Sequence, residues 1–533
     1  MKKIVVLLIP FLAFTGCFAQ ITRTDSLCGK ISGVQLSPSR IPLIKGKVDE
    51  SLFTLKIQCE KGVENLFLED ITINFAPFSL TEWIALVSAA NGGTDNLKFG
   101  SSQNITSKTI LKGRRLMVAG LNLINLNFSL KDNALLTKSF ETQSAELTFS
   151  DHQSIKISAE SKFIYRPAIL LRAAGQDGVD TYRIPGLATT NQGTLIAVYD
   201  IRYKGSADLQ GDIDVGMSRS SDGGQTWEPM KKIMDMGKWG GKPNNENGIG
   251  DPCVLVDKSN NTIWVAALWG HGKPGKSVWK SSGQGLTPQE TGQFMLVKSE
   301  DDGLTWSAPI NITTQVKRPE WNLFFQGPGK GITMHNGTLV FPAQYKDENQ
   351  VPWSTIICSN DHGKTWRAGT GAKANTTEAQ VVELSDGSLM LNMRDDRNRK
   401  DKSDTNGRAV SISHDLGNTW SVHPSSNSAL PEPNCMASLI SADLKINDQK
   451  RRVLFFSNPN NKTNRSNMTI KASLDGGVTW PGAYQTELNS SDGFGYSCLT
   501  LVDEKTIGIV YEGVKELYFQ KIAIADLLGK LVK

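Results

Sequence analysis

The sequence predicts an all-β protein built from repeated four-stranded sheets, and three observations carry that prediction. The 533 residues include 49 glycines and 12 tryptophans, a combination typical of tight turns and large aromatic anchors. One eight-residue pattern, Ser-x-Asp-x-Gly-x-Thr-Trp, occurs five times. Its copies start 79, 60, 54 and 60 residues apart, which suits a four-stranded sheet with its loops. Radial repetition of such sheets is a β-propeller.

The repeated pattern has the composition of a tight hairpin turn. Its five copies are Ser220–Trp227, Ser299–Trp306, Ser359–Trp366, Ser413–Trp420 and Ser473–Trp480. The Asp carboxylate can accept from backbone N–H groups, the Gly supplies a positive φ, and the Thr hydroxyl ties back to the turn. The Trp ring is expected to pack against the neighbouring sheet. Because these aspartates recur in every copy, we assign them to the turn and expect catalytic groups among residues that occur once.

The composition describes a globular protein with a sizeable core. Hydrophobic residues make up 39% of the chain and charged residues 21%. The net charge of +5 is too small for this length to indicate a protein that coats nucleic acid. Histidine and cysteine spacings show neither a zinc motif nor a disulfide framework, although Cys28 and Cys59 could pair or remain free thiols. The sequence therefore predicts no metal and no cofactor.

The first residues have the pattern of an export signal. Lys2 and Lys3 precede an uncharged stretch, Ile4–Thr15, that is too short to span a bilayer. Two cleavage positions remain open, one before Cys17, as in an acylated lipoprotein, and one before Gln20. Both predict an exported protein, located in the periplasm, anchored to a membrane through Cys17, or secreted.

The chain divides into a signal segment, residues 1–19, an accessory domain, residues 20–160, and the propeller, residues 161–533. The accessory segment contains no copy of the repeat. Alternating apolar runs such as Ile71–Phe75 and Ala145–Phe149 favour half-buried strands there. We expect a small β-sandwich-like domain, which either packs against the propeller or binds carbohydrate.

Three arginines stand in distinctive local sequence. Arg183 lies in a Tyr-Arg-Ile-Pro segment, Arg394 ends an apolar strand, and Arg465 follows the loop after Pro459. Each falls in a different repeat, so a propeller would bring them together near its axis. Three converging guanidiniums can bind one carboxylate through charge and fork-type hydrogen bonds.

These motifs together resemble those of the bacterial sialidases, or neuraminidases. The repeat resembles their Asp box, and the resemblance, which runs from Tyr165 to the C-terminus, implies a six-bladed catalytic propeller. Arg183, Arg394 and Arg465 resemble the triad that clamps the carboxylate of sialic acid. The other matched positions are the acid/base Asp208, the base Glu378, the nucleophile Tyr496, the sugar-pocket residues Arg202 and Asp251, and Glu512, which orients Arg183.

The chemistry of sialic acid explains why such a site uses a tyrosine. Its carboxylate sits on the anomeric carbon, and a carboxylate nucleophile would approach against that charge. Neutral Tyr496 avoids the repulsion if Glu378 removes its proton as the bond forms, with the arginines favouring the phenolate. Asp208 would protonate the departing oxygen and then deprotonate water. Two displacements at one centre retain the configuration, and such sialidases are an exception among glycosidases with paired carboxylates.

The resemblance implies a monomeric hydrolase that removes terminal α-linked sialic acid from oligosaccharides, glycoproteins or glycolipids. Two alternatives remain. A trans-sialidase on the same fold would release a product other than free, hydrated sialic acid. A non-catalytic Asp-box propeller that binds a glycan or a peptide would not need the arginine triad together with Tyr496, and all four residues are present.

Overall fold

Strands dominate the computed structural model, which describes residues 30–76, 81–92, 97–270 and 276–532, apart from the side chains of 159–163. The prediction of an all-β fold is confirmed. The export segment, with Cys17 and Gln20, and the partner suggested for Cys59 lie outside the described residues. None of the helices in the described part of the chain has the length and apolar character needed to cross a membrane.

The chain folds as two units. The first comprises the described residues up to Ser39, together with Gly46–Asp132 and Ser139–Tyr165. The second comprises Arg40–Lys45, Asn133–Lys138 and the residues from Arg166 onward. The strands that precede Arg166 are β1 (Ile31–Pro38), β2 (Leu43–Ile44), β3 (Glu50–Cys59), β4 (Phe67–Phe75), β5 (Ile84–Asn91), β6 (Lys98–Ser102), β7 (Lys108–Leu116), β8 (Gly120–Leu130), β9 (Phe140–Phe149) and β10 (Ser154–Tyr165).

The described residues of the first unit form two sheets, with strand orders β1-β3-β8-β5-β6 and β10-β9-β4-β7. Aromatic rings of the two sheets contact each other. Phe53 of β3 lies 5.2 Å from Tyr165 of β10, and Phe128 of β8 lies 5.6 Å from Phe140 of β9, measured between ring centroids. The alternating runs in β4 and β9 are strands, as the sequence predicts, and they bury their apolar residues in this core.

The described residues of the second unit contain the remaining strands and three short α-helices. The strands are β11 (Pro167–Arg172), β12 (Thr181–Thr189), β13 (Leu195–Arg202), β14 (Ile213–Ser220), β15 (Lys231–Met234), β16 (Gly248–Val256), β17 (Ile263–Gly270), β18 (Gln293–Ser299), β19 (Ile310–Asn311), β20 (Leu323–Gln326), β21 (Gly329–Lys330), β22 (Ile332–Thr333), β23 (Leu339–Lys346), β24 (Pro352–Ser359), β25 (Arg367–Ala368), β26 (Lys373–Ala374), β27 (Thr376–Glu383), β28 (Leu389–Asp395), β29 (Ala409–Ser413), β30 (Ser421–Val422), β31 (Ser438–Ile446), β32 (Gln449–Pro459), β33 (Met468–Ser473), β34 (Gln485–Asn489), β35 (Ser497–Asp503), β36 (Thr506–Glu512) and β37 (Leu517–Ala523). The helices are α1 (Val278–Ser281), α2 (Thr313–Val316) and α3 (Ile524–Leu528).

These strands form six sheets within the described residues. The sheet orders are β2-β11-β37-β36-β35, β12-β13-β14-β15, β19-β18-β17-β16-β21, β20-β23-β24-β25, β27-β28-β29-β30 and β31-β32-β33-β34. Strands of consecutive sheets contact each other: β35 contacts β12, β12 contacts β16, β27 contacts β31, and β31 contacts β35. The first of these sheets joins β11 to strands near the other end of the unit.

The repeated turns form as the sequence predicts. In the first copy, Asp222 accepts from the Thr226 N–H at 3.0 Å and from the Thr226 hydroxyl at 2.6 Å. Ser220 donates to Asp222 and accepts from the Gly224 N–H, each at 2.8 Å. Gly224 has a φ of 87°, which favours glycine. The Asp–Thr and Ser–Gly hydrogen bonds recur in the other four copies.

The tryptophans of the turns pack against neighbouring sheets, as the sequence predicts. Trp227 and Trp366 contact rings on neighbouring sheets, Phe519 and Trp264, at centroid distances of 5.0 and 6.2 Å. Trp480 lies in a core cluster that contains Met390 of the neighbouring sheet.

The turn aspartates are expected to make the protein sensitive to strong acid. Hydrogen bonds from Thr365 lower the pKa of Asp361 to about 2. A group whose pKa is lowered by folding stabilises the native state above its unfolded pKa, near 4, and this stabilisation is lost as the pH falls toward 2. We expect the melting temperature of Asp361→Asn to lie below that of the wild type at pH 7, with a smaller difference at pH 2.5.

The control is Asp404→Asn, an exposed aspartate outside the repeated turns. Calorimetric scans of the three proteins between pH 2 and pH 7 measure the effect. A difference between Asp361→Asn and wild type that stays constant over this range would show that the carboxylate charge of the turn does not contribute.

Candidate active site

Three strands of the second unit carry a β-bulge where a predicted site residue lies. The pairing register shifts between Arg183 and Gly186 in β12, between Gly250 and Cys253 in β16, and between Thr377 and Ala379 in β27. Arg183, Asp251 and Glu378 are located at these shifts. A bulge takes a side chain out of the regular alternation of its strand and is common beside active sites.

The backbone at two of these bulges is left-handed. Ile184 has a φ of 56° and Asp251 a φ of 58°. This conformation is rare for a β-branched residue such as Ile184. Such geometry costs about 1–3 kcal/mol and persists only where neighbours hold it. The Ile184 N–H donates to Glu512 at 2.9 Å, and the Asp251 N–H donates to Asp200 at 2.8 Å. Buried carboxylates therefore fix the local conformation of both bulges.

The three predicted arginines converge on Tyr496 and line one cavity with it. The guanidiniums of Arg183 and Arg465 lie over the Tyr496 ring, 5.2 and 5.6 Å from its centroid. Arg394 Nη1 donates to the Tyr496 hydroxyl at 3.2 Å. Three guanidiniums around one ring form a cationic surface suited to a carboxylate.

Each arginine is also held from behind by acceptors. Arg183 Nε donates to Glu512 at 3.1 Å, and Arg465 Nη1 donates to the Phe494 carbonyl at 2.9 Å. Arg394 Nη2 donates to the amide oxygen of Asn434 at 2.9 Å. Because these contacts fix the guanidiniums before a ligand arrives, little reorganisation is needed to bind an anion.

Tyr496 and Glu378 form the pair that the sequence predicts as nucleophile and base. The Tyr496 hydroxyl donates to Glu378 Oε1, and Glu378 Oε2 accepts from Arg394 Nη1 at 2.5 Å. Burial raises the pKa of Glu378, but Arg394 and the Tyr496 hydrogen bond outweigh it, and the net pKa is lowered. Glu378 is thus ionised and can accept a proton at neutral pH.

The pKa of Tyr496 departs from the sequence-based expectation. Arg394 and Arg465 do lower it, as expected, but burial and the Glu378 charge raise it more strongly, and the net pKa lies well above its usual value. The side chain is 5% exposed. The free site therefore holds a neutral phenol at neutral pH.

Glu512 links the first arginine to the tyrosine. Its side chain is buried, and it accepts from Arg183 Nε, from the Ile184 N–H and, at 2.8 Å, from the Tyr496 N–H. The contact with Arg183 is the one that the sequence predicts. The contacts with the two backbone N–H groups were not predicted, and through them one carboxylate positions both sides of the site.

Asp208 lies beside two arginines. Its carboxylate accepts from Arg202 Nη1 at 3.0 Å and from Arg183 Nη1 at 3.4 Å, and its side chain is exposed. Partial dehydration raises the pKa of Asp208, but the two guanidiniums outweigh this effect and the net pKa is lowered. Arg202 is itself buried against Asp200, to which its Nη2 donates at 2.8 Å.

Asp251 lines the same cavity, but its pKa is raised, whereas that of Asp208 is lowered. Burial is the main cause that raises its pKa well above the usual value, and the negative charge of Asp200 adds to it, against an opposing effect of Arg202. The two carboxyl groups Asp200 and Asp251 lie close together, and the pair retains a proton more readily than isolated aspartates. Asp251 can therefore donate a hydrogen bond as well as accept one.

Sequence reasoning missed several residues that position this site. Asp200 supports Arg202 and the Asp251 bulge, and Asn434 supports Arg394.

A fully buried ion pair, formed by Arg408 and Glu432 at 2.7 Å, also contacts the backbone of the site. Arg408 also donates to the Glu378 carbonyl, and Glu432 accepts from the Asp395 N–H next to Arg394. These residues occur in no recognisable motif; only the left-handed φ of 56° at Asn434 gives a local signal, and it is visible in the structure alone.

The site surrounds a cavity of about 360 Å³. Seven of the predicted residues line it: Arg183, Asp208, Asp251, Glu378, Arg394, Arg465 and Tyr496. Arg202 and Glu512 lie behind them in contact with Asp208 and Arg183. The half-buried Trp279 and the buried Phe325 form an apolar part of the wall. Within the described parts of the chain, no group of three or more His, Cys, Asp or Glu side chains could hold a metal ion.

Comparisons with known proteins agree with this geometry. The family model described as a BNR repeat-like domain matches residues 193–509. A sialidase of Bacteroides fragilis is 40% identical over 99% of this chain and 100% of its own length. A sialidase of Micromonospora viridifaciens is 32% identical over 67% of this chain and 54% of its own length.

Solved structures give the same result. The Hadza microbial sialidase Hz136 is 40% identical, with a TM-score of 0.85 over 92% of this chain and 99% of that one. The intramolecular trans-sialidase of Ruminococcus gnavus is 20% identical, with a TM-score of 0.55 over 68% of this chain and 98% of its own. At that identity the second likeness concerns the fold alone, which in these proteins is a β-propeller.

Proposed function

Since the chain belongs to the bacterial sialidase family, and is thus a glycoside hydrolase, we propose that it is a retaining exo-α-sialidase that acts through a covalent intermediate on Tyr496. The substrates are oligosaccharides, glycoproteins or glycolipids with terminal α-linked sialic acid. The observation that carries the proposal is the hydrogen bond from the Tyr496 hydroxyl to Glu378 at the centre of three arginines.

Binding begins with the substrate carboxylate at the arginine cluster. Arg183, Arg394 and Arg465 are already held by Glu512, Asn434 and the Phe494 carbonyl, and all three line the cavity. The bound carboxylate fixes the anomeric carbon that carries it close to the Tyr496 oxygen. Positioning of this kind removes much of the entropic part of the barrier.

In the first step the Tyr496 oxygen attacks the anomeric carbon while its proton passes to Glu378. The raised pKa of Tyr496 and the lowered pKa of Glu378 make this proton transfer unfavourable by itself. Bond formation at the oxygen must therefore accompany the transfer, and the developing charge is shared with Arg394. The bond to the leaving oxygen breaks in the same step.

Asp208 completes the reaction as acid and then as base. It donates a proton to the leaving oxygen and later removes one from the water that attacks the intermediate, when the proton on Glu378 returns to Tyr496. In the free protein the arginines lower its pKa. A bound carboxylate neutralises part of that positive charge and the bound sugar covers the exposed side chain, so both changes raise the pKa of Asp208 toward the value that an acid needs.

The proposal extends to the architecture. Each of the six sheets of the second unit corresponds to one blade of a propeller, and the two sheets of the first unit form an accessory β-sandwich-like domain. The contacts between consecutive sheets and the aromatic contacts within the first unit support this assignment.

A trans-sialidase is the second candidate, favoured by the likeness in fold to the Ruminococcus gnavus enzyme. The test is incubation with α2,3- and α2,6-sialyllactose, followed by mass spectrometry of the released sugar. Free, hydrated sialic acid supports the hydrolase. An anhydro sugar, or sialic acid transferred to added lactose, would favour the trans-sialidase over the hydrolase. If neither isomer releases or transfers sialic acid, both proposed activities are contradicted.

Export is also part of the proposal, on the pattern of the first residues and the two possible cleavage positions. If Cys17 is acylated, Cys17→Ser should move the protein from the membrane fraction to the soluble fraction of the producing cells. Immunoblots of the two fractions measure this, with Cys59→Ser as the control because that thiol is buried in the first unit. An unchanged distribution would favour cleavage before Gln20.

A further inference from the structure

A second cavity of the propeller lies at the opposite ends of the strands that carry the site. Arg183 lies near the beginning of β12 and Thr189 ends it, while Glu378 lies near the beginning of β27 and Glu383 ends it. Thr189 and Glu383 line the second cavity, which has a volume of about 340 Å³. At about 3.3 Å per residue of strand, it lies roughly 20 Å from the arginines.

Two lysines in this cavity are joined through a pair of threonines. Lys258 Nζ donates to the Thr189 carbonyl at 3.1 Å, and Lys330 Nζ donates to the Thr500 hydroxyl at 3.2 Å. The hydroxyls of Thr189 and Thr500 are 3.0 Å apart. The two ammonium groups thus belong to one hydrogen-bonded cluster, and each has donors left for a ligand.

The positive charge of this cluster is not balanced by the protein. Among the residues that the structure describes, no carboxylate forms an ion pair with Lys258 or Lys330. Burial and, to a smaller extent, the charge of Lys258 lower the pKa of Lys330 to about 8, against an opposing effect of Cys498. Like charges in a partly apolar cavity destabilise each other unless an anion lies between them.

The acidic residues of the cavity are already paired. Glu383 accepts from the His335 N–H at 2.9 Å and contacts His335 Nδ1 at 3.1 Å. Asp443 accepts from the Arg452 guanidinium at 2.7 and 3.2 Å. Arg452 balances the charge of Asp443, and Glu383 is hydrogen-bonded to His335, so that the two lysines outnumber the one carboxylate that has no cationic Lys or Arg partner.

We propose that this second cavity binds a phosphate or sulfate group, free or as a monoester, between Lys258 and Lys330. Two ammonium donors match the double negative charge of free sulfate, hydrogen phosphate or a phosphate monoester, and exceed the single charge of a sulfate monoester. The cavity is larger than one oxyanion, and Val256, Ile332 and Leu439 give it apolar walls that can hold the organic part of an ester. The site is independent of the arginine cluster.

The experiment is calorimetric titration of the full chain at pH 7 and constant ionic strength. Sodium phosphate and sodium sulfate probe the free anions, and phenyl phosphate probes the monoester. We expect saturable binding that weakens by about tenfold or more in Lys258→Met and in Lys330→Met, since each removes a charge-assisted hydrogen bond. The matched control is Lys364→Met, an exposed lysine in a repeated turn, which should bind as the wild type does.

Two further measurements distinguish this anion site from binding at the arginine cluster or elsewhere on the protein. Sulfate affinity should fall as the pH rises past 8, by up to about tenfold per pH unit, because Lys330 loses its proton. Hydrolysis of sialosides should be unchanged in both lysine variants, since neither residue lines the catalytic cavity. If Lys330→Met does not fold, the exposed Lys258 gives the decisive variant. Undetectable binding to the wild type, or equal binding to wild type and lysine variants, would overturn the proposal.

Discussion

Tyr496→Phe should abolish turnover of every sialoside while leaving the affinity for sialic acid analogues nearly intact. The substitution removes the one oxygen that forms the bond to sugar, so kcat should fall by more than about 10³-fold for activated and natural leaving groups alike. The three arginines keep their own anchors at Glu512, Asn434 and the Phe494 carbonyl, so the carboxylate of an analogue is still bound.

Steady-state rates with an aryl sialoside and with sialyllactose, together with calorimetric binding of the 2,3-didehydro analogue of sialic acid, measure the two effects. Tyr484→Phe is the matched control, because this tyrosine lies outside the cavity. A Tyr496→Phe protein that hydrolyses either substrate at a rate near that of the wild type would assign the nucleophile to Glu378 or to water.

Asp208→Ala should discriminate between leaving groups. A galactosyl oxygen needs a proton to depart. The rate of cleavage of sialyllactose should therefore fall by ~10²–10⁴-fold, the range typical of general acid catalysis. An aryl oxygen leaves without protonation, so its first step should be affected much less. Water activation in the second step remains impaired, and the ketoside between the sugar and the Tyr496 oxygen should accumulate as an adduct detectable by mass spectrometry of the quenched protein.

The pH dependence gives a second test of the same assignment. Arg202 and Arg183 lower the pKa of Asp208 in the free protein. Since kcat/KM reports the free enzyme, kcat/KM for sialyllactose should decline as the pH rises above that lowered pKa, and the decline should be absent in Asp208→Ala. Asp212→Ala, in the same loop, is the control. Equal losses with both leaving groups and no trapped adduct would show that another residue is the acid.

The sequence predicted what is local or singular in this protein. The repeated turns follow from their eight residues, because each hydrogen bond of the motif joins groups within four positions, such as Asp222 with Thr226. The arginines, Glu378 and Tyr496 were identifiable from a few flanking residues and their order along the chain. In the structure these side chains line one cavity.

Apart from the contact between Asp200 and Arg202, the contacts of the supporting residues could not be predicted because they join residues that are distant in sequence. Asn434 contacts Arg394 40 positions away, and Asp200 contacts the Asp251 N–H 51 positions away. The left-handed Ile184 in a strand contradicts the preference of its own side chain. The net pKa of Tyr496 depends on a balance between burial and charge, and residue types alone give only the sign of each contribution.

The sheet that joins β11 to β37 has a consequence for how the enzyme comes into being. Arg183 and Glu512 are 329 positions apart, and their contact exists only once the last strands have docked beside the first. Contacts of such separation form late, since a long loop must close before they are made. In a growing or partly refolded chain, Arg183 therefore lacks its contact with Glu512. We expect catalytic activity to appear in a single late step, when the last strands dock, and not to increase gradually as each sheet forms. In a refolding experiment, activity should lag behind the far-ultraviolet signal of the strands.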